Sequence, residues 1–316
     1  LKKWKITLAL TITLTTVAVL TPLFSCGNQA VSFPDPNLEA AIRETINKPE
    51  GSINTSDLES LTELNARDRN IVDLTGLDKC SILTKLVLIS NDISDISPLA
   101  NLTKLQHLEL SDNQINGISQ LSLITNLTYL GLGGNQIIDI SPLVNLVKLQ
   151  DLELTGNQIP DISRLSSLTN LTSLGLGGNK ISDISALSSL VNLTSIVLMG
   201  NKVSDLSPLA SLTNLRSLFL TLNRITDISP LASLTNLTNL EIMGSPEGNQ
   251  ITDIQALSSL TNLTTLRLWN NQISDISPLI PLTKLRTLWI IDGNPLNEES
   301  LNVYIPQLKE RGVEVR

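Results

Sequence analysis

Apolar residues recur at fixed offsets along most of this chain. A representative stretch reads Leu105-x-x-Leu108-x-Leu110-x-x-Asn113-x-Ile115-x-x-Ile118-x-x-Leu121-x-x-Ile124. Its asparagine returns at Asn91, Asn113, Asn135, Asn157, Asn179, Asn201, Asn223, Asn249, Asn271 and Asn294. The first six steps are 22 residues each; the step to Asn249 is 26, with Ser245-Pro246-Glu247-Gly248 as the extra four, and the last is 23. Counting back 22 from Asn91 reaches Arg69, a degenerate first unit, so residues 63–294 hold about eleven units. A period of this length signals a solenoid, in which each unit is one coil and stacked coils share a continuous core.

The Leu-x-Leu element alternates sides with period two and predicts a short strand in every coil. One coil alone fixes its whole backbone for a handful of apolar side chains, so only stacking makes the balance favourable. The asparagine column turns inward where the backbone bends, and a buried amide there must bond to backbone groups of its own and the neighbouring coil. A second column reads Asp-Ile-Ser-Pro-Leu at Asp95–Leu99, Asp139–Leu143, Asp227–Leu231 and Asp275–Leu279. Serine before proline suits the start of a short 3-10 or helical turn. Stacked aspartates invite a metal reading, but their even recurrence favours capping of the backbone. The Asn-Leu-Thr triplets at Asn101, Asn126 and Asn170 match a glycosylation sequon. They recur because the repeat does, and are discounted as modification sites.

The ends differ from the repeat. Residues 33–62 read as an N-terminal cap, which a solenoid needs because its first coil has an uncovered apolar face. Asp35 suits a helix N-cap and Pro36 the first helical position, with Leu38, Ala41, Ile42 and Thr45 on one face. Pro49-Glu50-Gly51 is expected to end that helix, and Ser56-x-x-Glu59 to form a capping box for a second turn. Residues 295–316 read as a C-terminal cap.

Residues 1–25 read as an export signal. Lys2, Lys3 and Lys5 precede an uncharged run from Ile6 to Leu23. The run ends in Leu23-Phe24-Ser25-Cys26, which resembles the lipobox of bacterial lipoproteins, where the cysteine is lipidated and becomes the first mature residue. Phe24 is bulkier than that motif usually has. A retained transmembrane anchor and ordinary cleavage are the alternatives, and all three place the remaining chain outside the cytoplasm. Residues 26–32 form a polar tether that keeps the folded part near the membrane.

Composition narrows the chemistry. The net charge of −8 gives no basic footprint for nucleic acid. Two cysteines, Cys26 and Cys80, are too few for a disulfide framework. Cys80 occupies a leucine position and is expected to be a small buried apolar residue. The single histidine, His107, lies near Glu109, Asp151 and Glu153, but two coils, roughly 10 Å at strand spacing, separate the pairs. These read as a solvated acidic face. No phosphate loop, nucleophile elbow or paired Cys/His motif occurs, so no enzyme, cofactor or metal is expected.

The 22-residue period, the asparagine ladder and the Asp-Ile-Ser-Pro-Leu turn closely resemble the bacterial internalin-like leucine-rich repeats. The tail from Asn294-Pro295-Leu296 through Ile305-Pro306-x-Leu308 to Arg311-Gly312-Val313 resembles a closing segment of such proteins. The resemblance implies an α/β fold: a right-handed solenoid with parallel strands on its concave face and short 3-10 or helical turns on the convex face. It also implies protein recognition on the concave side. No immunoglobulin-like partner domain or cell-wall sorting motif of the internalin type is recognised, so host-cell invasion is not carried over.

Function is expected at the outward strand positions, which the repeat leaves free. One column runs Val87, Glu109, Gly131, Glu153, Gly175, Val197, Phe219, Glu241, Arg267, Trp289; the next runs Ile89, Ser111, Gly133, Thr155, Gly177, Met199, Thr221, Met243, Trp269, Ile291. The first half is acidic, the middle glycine-rich, the last part large and apolar. The glycines read as small residues on a tight strand, with a smooth floor for a partner as the alternative. Val197, Met199, Phe219, Glu241, Met243, Arg267, Trp269, Trp289 and Ile291 form the expected partner site, aromatic residues beside an arginine being typical of interaction hot spots. The helix expected within 296–311 is the element that could instead cover Trp289 and Ile291. The expected protein is a monomeric, lipid-anchored surface protein that binds a protein partner. Glycan binding through Trp269 and Trp289 is the alternative.

Overall fold

The computed structural model describes residues 28–245 and 248–316. Each coil contributes one three-residue strand: β1 Glu63–Asn65, β2 Lys85–Val87, β3 His107–Glu109, β4 Tyr129–Gly131, β5 Asp151–Glu153 and β6 Ser173–Gly175. The series continues with β7 Ser195–Val197, β8 Ser217–Phe219, β9 Asn239–Glu241, β10 Thr265–Arg267 and β11 Thr287–Trp289. With β12 (Glu314–Val315) they form one twelve-stranded sheet in chain order. Neighbours run parallel, column on column, so Leu64 faces Leu86 and Leu266 faces Leu288. The central residue of each strand from β1 to β11 is buried, while its neighbours face outward. Short 3-10 turns such as Ser141–Asn145 and Ser185–Ser189 return the chain on the opposite side. This is the leucine-rich-repeat solenoid expected, with the sheet on its concave face.

The polar columns hold the coils in register. Asn113 Nδ2 donates to Leu110 O at 3.0 Å in its own coil and to Leu88 O at 2.9 Å in the preceding one, while Oδ1 accepts from Ile93 N–H at 3.0 Å. Asp95, Asp139, Asp227 and Asp275 each accept the N–H of the serine two residues on at 2.8 Å, which is backbone capping. The Ser229 N–H and hydroxyl hold the Asp227 carboxyl below its usual range. The sequon asparagines form a second, exposed ladder: Asn126 donates to Thr103 O at 2.8 Å and Asn170 to Val147 O at 2.7 Å.

Most coils leave the strand through a left-handed corner, at Asp68, Ser90, Asp112, Gly134, Gly156, Gly178, Gly200, Leu222 and Asn270. Glycine takes this conformation freely, and aspartate or asparagine tolerate it, whereas other L-residues lose about 1–2 kcal/mol. Leu222 sits there with φ 57°.

The N-terminal cap is built on Asp35. Its Oδ1 accepts from Asn37 and Leu38 N–H at the start of α1 (Pro36–Ile46), and its Oδ2 accepts from Val72 and Asp73 N–H in the first coil. Burial opposes its ionisation, but four donors together outweigh that and lower its pKa. Leu38, Ala41 and Ile42 are buried as expected; Thr45 is exposed and its hydroxyl donates back to Ala41 O at 2.8 Å.

Three local expectations are corrected. Helix α1 stops at left-handed Asn47 (φ 54°), before Pro49-Glu50-Gly51. The capping box uses Asn54 and Asp57 rather than Ser56 and Glu59, because the 3-10 turn begins at Thr55; Asp57 accepts Asn54 N–H at 2.7 Å. The chain from Gln29 onward is part of the cap rather than a free tether, since Val31 N–H donates to Ile53 O at 2.7 Å and Thr55 N–H to Gln29 O at 2.9 Å.

At the far end, a π-helical turn Ser300–Tyr304 leads into α2 (Ile305–Glu310), and Arg311 donates to Ile280 O and Leu282 O. The chain then closes the sheet as β12. Residues 1–25, expected to be an export signal, and Cys26, expected to be lipidated, lie outside the described residues. Among the described residues, no helix is long and apolar enough to cross a membrane. Cys80 is fully buried, and burial pushes its thiol up to about 12.

Candidate functional site: the concave face

Three outward columns line the sheet, one more than the sequence suggested. The extra column is the first residue of each strand, including Glu63, Lys85, His107, Tyr129, Asp151, Ser217 and Asn239. It was recoverable from the rule that both neighbours of an inward leucine point outward.

In coils 3 to 6 the polar groups satisfy one another. The Glu109 carboxylate accepts Tyr129 OH at 2.6 Å and Ser111 N–H at 3.0 Å. It lies across Gly131, where a Cβ would overlap its oxygens. Glu153 repeats the arrangement across Gly175 and accepts Thr155 N–H at 2.6 Å. These two glycines are notches for carboxylates, neither bare small residues nor a smooth floor. The alternation Glu109, Gly131, Glu153, Gly175 carried the signal. Burial, then the bond to Glu109, holds the Tyr129 hydroxyl well above the usual phenol range. His107 stacks on Tyr129 at 4.2 Å with planes 10° apart. Burial and nearby Lys85 lower its pKa, against the pull of Glu109 and Glu63. Among the described residues no three metal-ligating side chains converge.

Coils 7 to 11 have a different surface. Val197 faces Phe219 across β7 and β8, Phe219 faces Glu241, and Glu241 faces Arg267, which in turn faces Trp289. Glu241 is buried and forms an ion pair with Arg267. The Arg267 guanidinium lies 4.4 Å over the Trp289 ring, and Trp269 packs on Trp289 at 4.9 Å with a 34° tilt. Arg267, placed among the aromatics by the sequence, is therefore a neutralised, stacked group. Arg267 Nε and Trp289 Nε1 are both buried without a hydrogen-bond partner. Val197, Phe219, Met243, Trp269 and Trp289 are half-buried, and Met199 is 36% exposed.

The flank of this patch is closed by β12 and not by the helix within 296–311, which was the alternative to a free site at Trp289 and Ile291. Ile291 N–H donates to Arg316 O at 3.0 Å, the Arg316 guanidinium reaches 5.8 Å from the Trp289 ring, and Ile291 packs on the core.

Comparison with known proteins agrees with this architecture. A family model described as leucine rich repeat matches residues 81–137. A second, described as leucine rich repeats (2 copies), matches 125–167, 169–211, 213–259, 247–280 and 261–304. An internalin (InlF) from Listeria monocytogenes is 35% identical, with 92% of each chain covered and a TM-score of 0.78. Internalin C2 of the same species is also 35% identical, over 75% of this chain and 94% of that one, with a TM-score of 0.58. A leucine-rich-repeat protein of Leptospira interrogans shares the fold at 24% identity, covering 82% of this chain and 73% of that one, with a TM-score of 0.69. No curated protein sequence matches. With coil geometry, repeat motif and these likenesses in agreement, this chain belongs to the internalin-like leucine-rich repeat proteins.

Proposed function

We propose that this chain is a non-catalytic, protein-binding solenoid of the bacterial surface, and that its partner docks on the concave face of coils 7 to 11. The carrying observation is the set Phe219, Met243, Trp269 and Trp289 from four successive coils: Phe219 and Trp289 end β8 and β11, and Met243 and Trp269 lie two residues past β9 and β10. A contiguous apolar patch on a monomer marks a partner site, and aromatic side chains dominate such interfaces. Val197, Met199 and Ile291 extend the patch, while Glu241 and Arg267 fix the position of Trp289. The test is a comparison of partner capture by the wild-type chain and a Phe219→Ala/Trp269→Ala chain of unchanged circular dichroism. Unchanged capture would place the site elsewhere.

Nothing favours glycan stacking over this reading. One face of Trp289 is covered by Arg267, and Trp269 leans on the same ring. Titration of the tryptophan emission with cell-wall glycans checks the point.

The anchoring part of the proposal rests on the sequence Leu23-Phe24-Ser25-Cys26, with Cys26 as the lipidated residue. Two acyl chains suffice for stable anchoring, each buried CH₂ contributing about 0.8 kcal/mol. A Cys26→Ser chain should leave the membrane fraction and lose incorporation of a labelled fatty acid. Continued membrane retention without label would instead favour the uncleaved segment Ile6 to Leu23 as anchor.

A further inference from the structure

One column on the flank of the solenoid changes character partway along. The residue after each ladder asparagine is exposed, and it is glutamine at Gln114, Gln136, Gln158, Gln250 and Gln272. In coils 6 to 8 it is Lys180, Lys202 and Arg224. The frame does not require them. Glutamine fills the same position and bonds along the column, as where Gln114 Nε2 donates to Asp92 Oδ1 at 2.9 Å. Neighbouring coils stand about 4.8 Å apart, so three cations in a row repel one another. Among the described residues none of the three forms an ion pair, and Lys180 Nζ donates only to the neutral Gln158 Oε1, at 3.2 Å. The aspartates three residues on, Asp183, Asp205 and Asp227, are held by their own turns, where they accept the N–H of Ser185, Ser207 and Ser229 at 2.8 Å. A chain of net charge −8 therefore carries a basic ridge without counter-charge.

The ridge borders the apolar patch. Lys202 follows Met199 by three residues, at most about 11 Å of chain. The corner between them is Gly200, left-handed and without a side chain to part the two surfaces. Gly178 turns the same corner in coil 6. A partner on the concave face of coil 7 thus has the ridge at its margin.

We propose that Lys180, Lys202 and Arg224 receive an acidic segment of the protein partner whose apolar surface covers Met199 and Phe219. This rests on the concave-face reading above. Charge complementarity names the chemistry: carboxylate side chains are the groups on a protein that gain from three unpaired cations. Spacing agrees, since acidic residues on successive turns of a helix stand about 5–6 Å apart, close to the distance between coils. A membrane of anionic lipids fits less well. So broad a surface also meets the exposed Asp183, Asp205 and Asp227 beside the ridge, and these repel it. A short acidic segment meets the ridge alone. The pairs formed are exposed, so they favour fast, salt-dependent association more than tight binding.

The experiment uses the full chain, with a phage-displayed random dodecapeptide library and vesicles of phosphatidylglycerol as probes. Enriched peptides are measured at low and high salt against the wild type, Lys180→Gln/Lys202→Gln/Arg224→Gln and Phe219→Ala/Trp269→Ala. The expected peptides combine acidic with apolar residues and bind more weakly at high salt. They bind the glutamine variant on the order of tenfold more weakly, three exposed ion pairs being lost, and there their salt dependence disappears. Phe219→Ala/Trp269→Ala weakens them too, with the salt dependence kept. The glutamine variant melts at or above the wild-type temperature, because a repulsion is relieved. Peptides that lose affinity for Phe219→Ala/Trp269→Ala but not for the glutamine variant would overturn the ridge and leave the concave-face reading standing. The reverse pattern would overturn the concave-face reading, and with it the shared partner. Peptides indifferent to both variants would overturn both. Vesicle binding lost in the glutamine variant would give the ridge to a lipid surface, and a lower melting temperature would make it part of the frame; either result overturns the acidic segment.

Discussion

Coils 3 to 6 and coils 7 to 11 share one backbone frame and differ almost entirely in their outward side chains. In the first group the carboxylates of Glu109 and Glu153 lie down on the sheet, across Gly131 and Gly175, and are bonded to the chain itself. In the second, Phe219, Met243 and Trp269 stand outward with no partner from their own chain that covers them fully. The inward leucines and asparagines set the frame, so the face is free to be polar and self-satisfied in one region and apolar in another. What a solenoid binds is therefore decided by residues that contribute little to its folding.

That comparison breaks first if the frame is not in fact common to both groups. Asn135→Leu and Asn223→Leu should cost similar amounts, about 2–4 kcal/mol each by chemical denaturation, because each strands one buried backbone N–H, worth about 1–3 kcal/mol, and removes further bonds to carbonyls that keep a second ladder asparagine as donor. Asn135 bonds Leu110 O, Leu132 O and Ile115 N–H; Asn223 bonds Leu198 O, Leu220 O and Val203 N–H. Strongly unequal losses would mean that the face reaches into the frame. A smaller effect separates the regions. Gly131→Ala drives a Cβ into the Glu109 carboxylate and should lose about 1–3 kcal/mol, largely recovered in the Glu109→Ala/Gly131→Ala double variant. Val197→Ala, on a half-buried side chain, should lose less than about 1 kcal/mol.

Glu241→Gln tests the other region and should destabilise by about 1 kcal/mol, since the ion pair is only partly shielded from water. It should also shift the tryptophan emission, because Arg267 rests on Trp289. The smallest effect is in pH. The folded state lowers the pKa of His107, favouring neutral imidazole. Its contribution to stability is therefore present above the ordinary value of 6.5 and is lost as pH falls through that value toward the folded one. As the only histidine, it can be followed by its ring proton resonance, and a midpoint above 6.5 would contradict the assignment.

The inward half of the molecule was legible because each position is written about ten times over. Strand, asparagine ladder and aspartate cap all follow from spacing alone. The outward half is written once per position, and its interactions run between coils. That Glu109 lies in the space left by Gly131, or that Arg267 is neutralised by Glu241, depends on pairs 22 or 26 residues apart that no local pattern links. The ends were harder still. The half-buried Asn54–Asp57 box and the β12 strand have no repeat to average over, and the Ser56-x-x-Glu59 match was equally good on sequence grounds. Leu222 was readable in principle, as the one apolar residue in a column of glycines and small polar residues, but its left-handed backbone was not.

The asparagine ladder has one more consequence, for how such a chain can change. Each amide bonds only its own coil and the one before. A block of 22 residues running from one asparagine to the next could be duplicated or excised without stranding a polar group in either neighbour. The apolar region would then slide by one strand spacing, about 4.8 Å, relative to the acidic one. Coil number thereby acts as a ruler, setting in fixed increments the distance between the two chemistries that a partner meets.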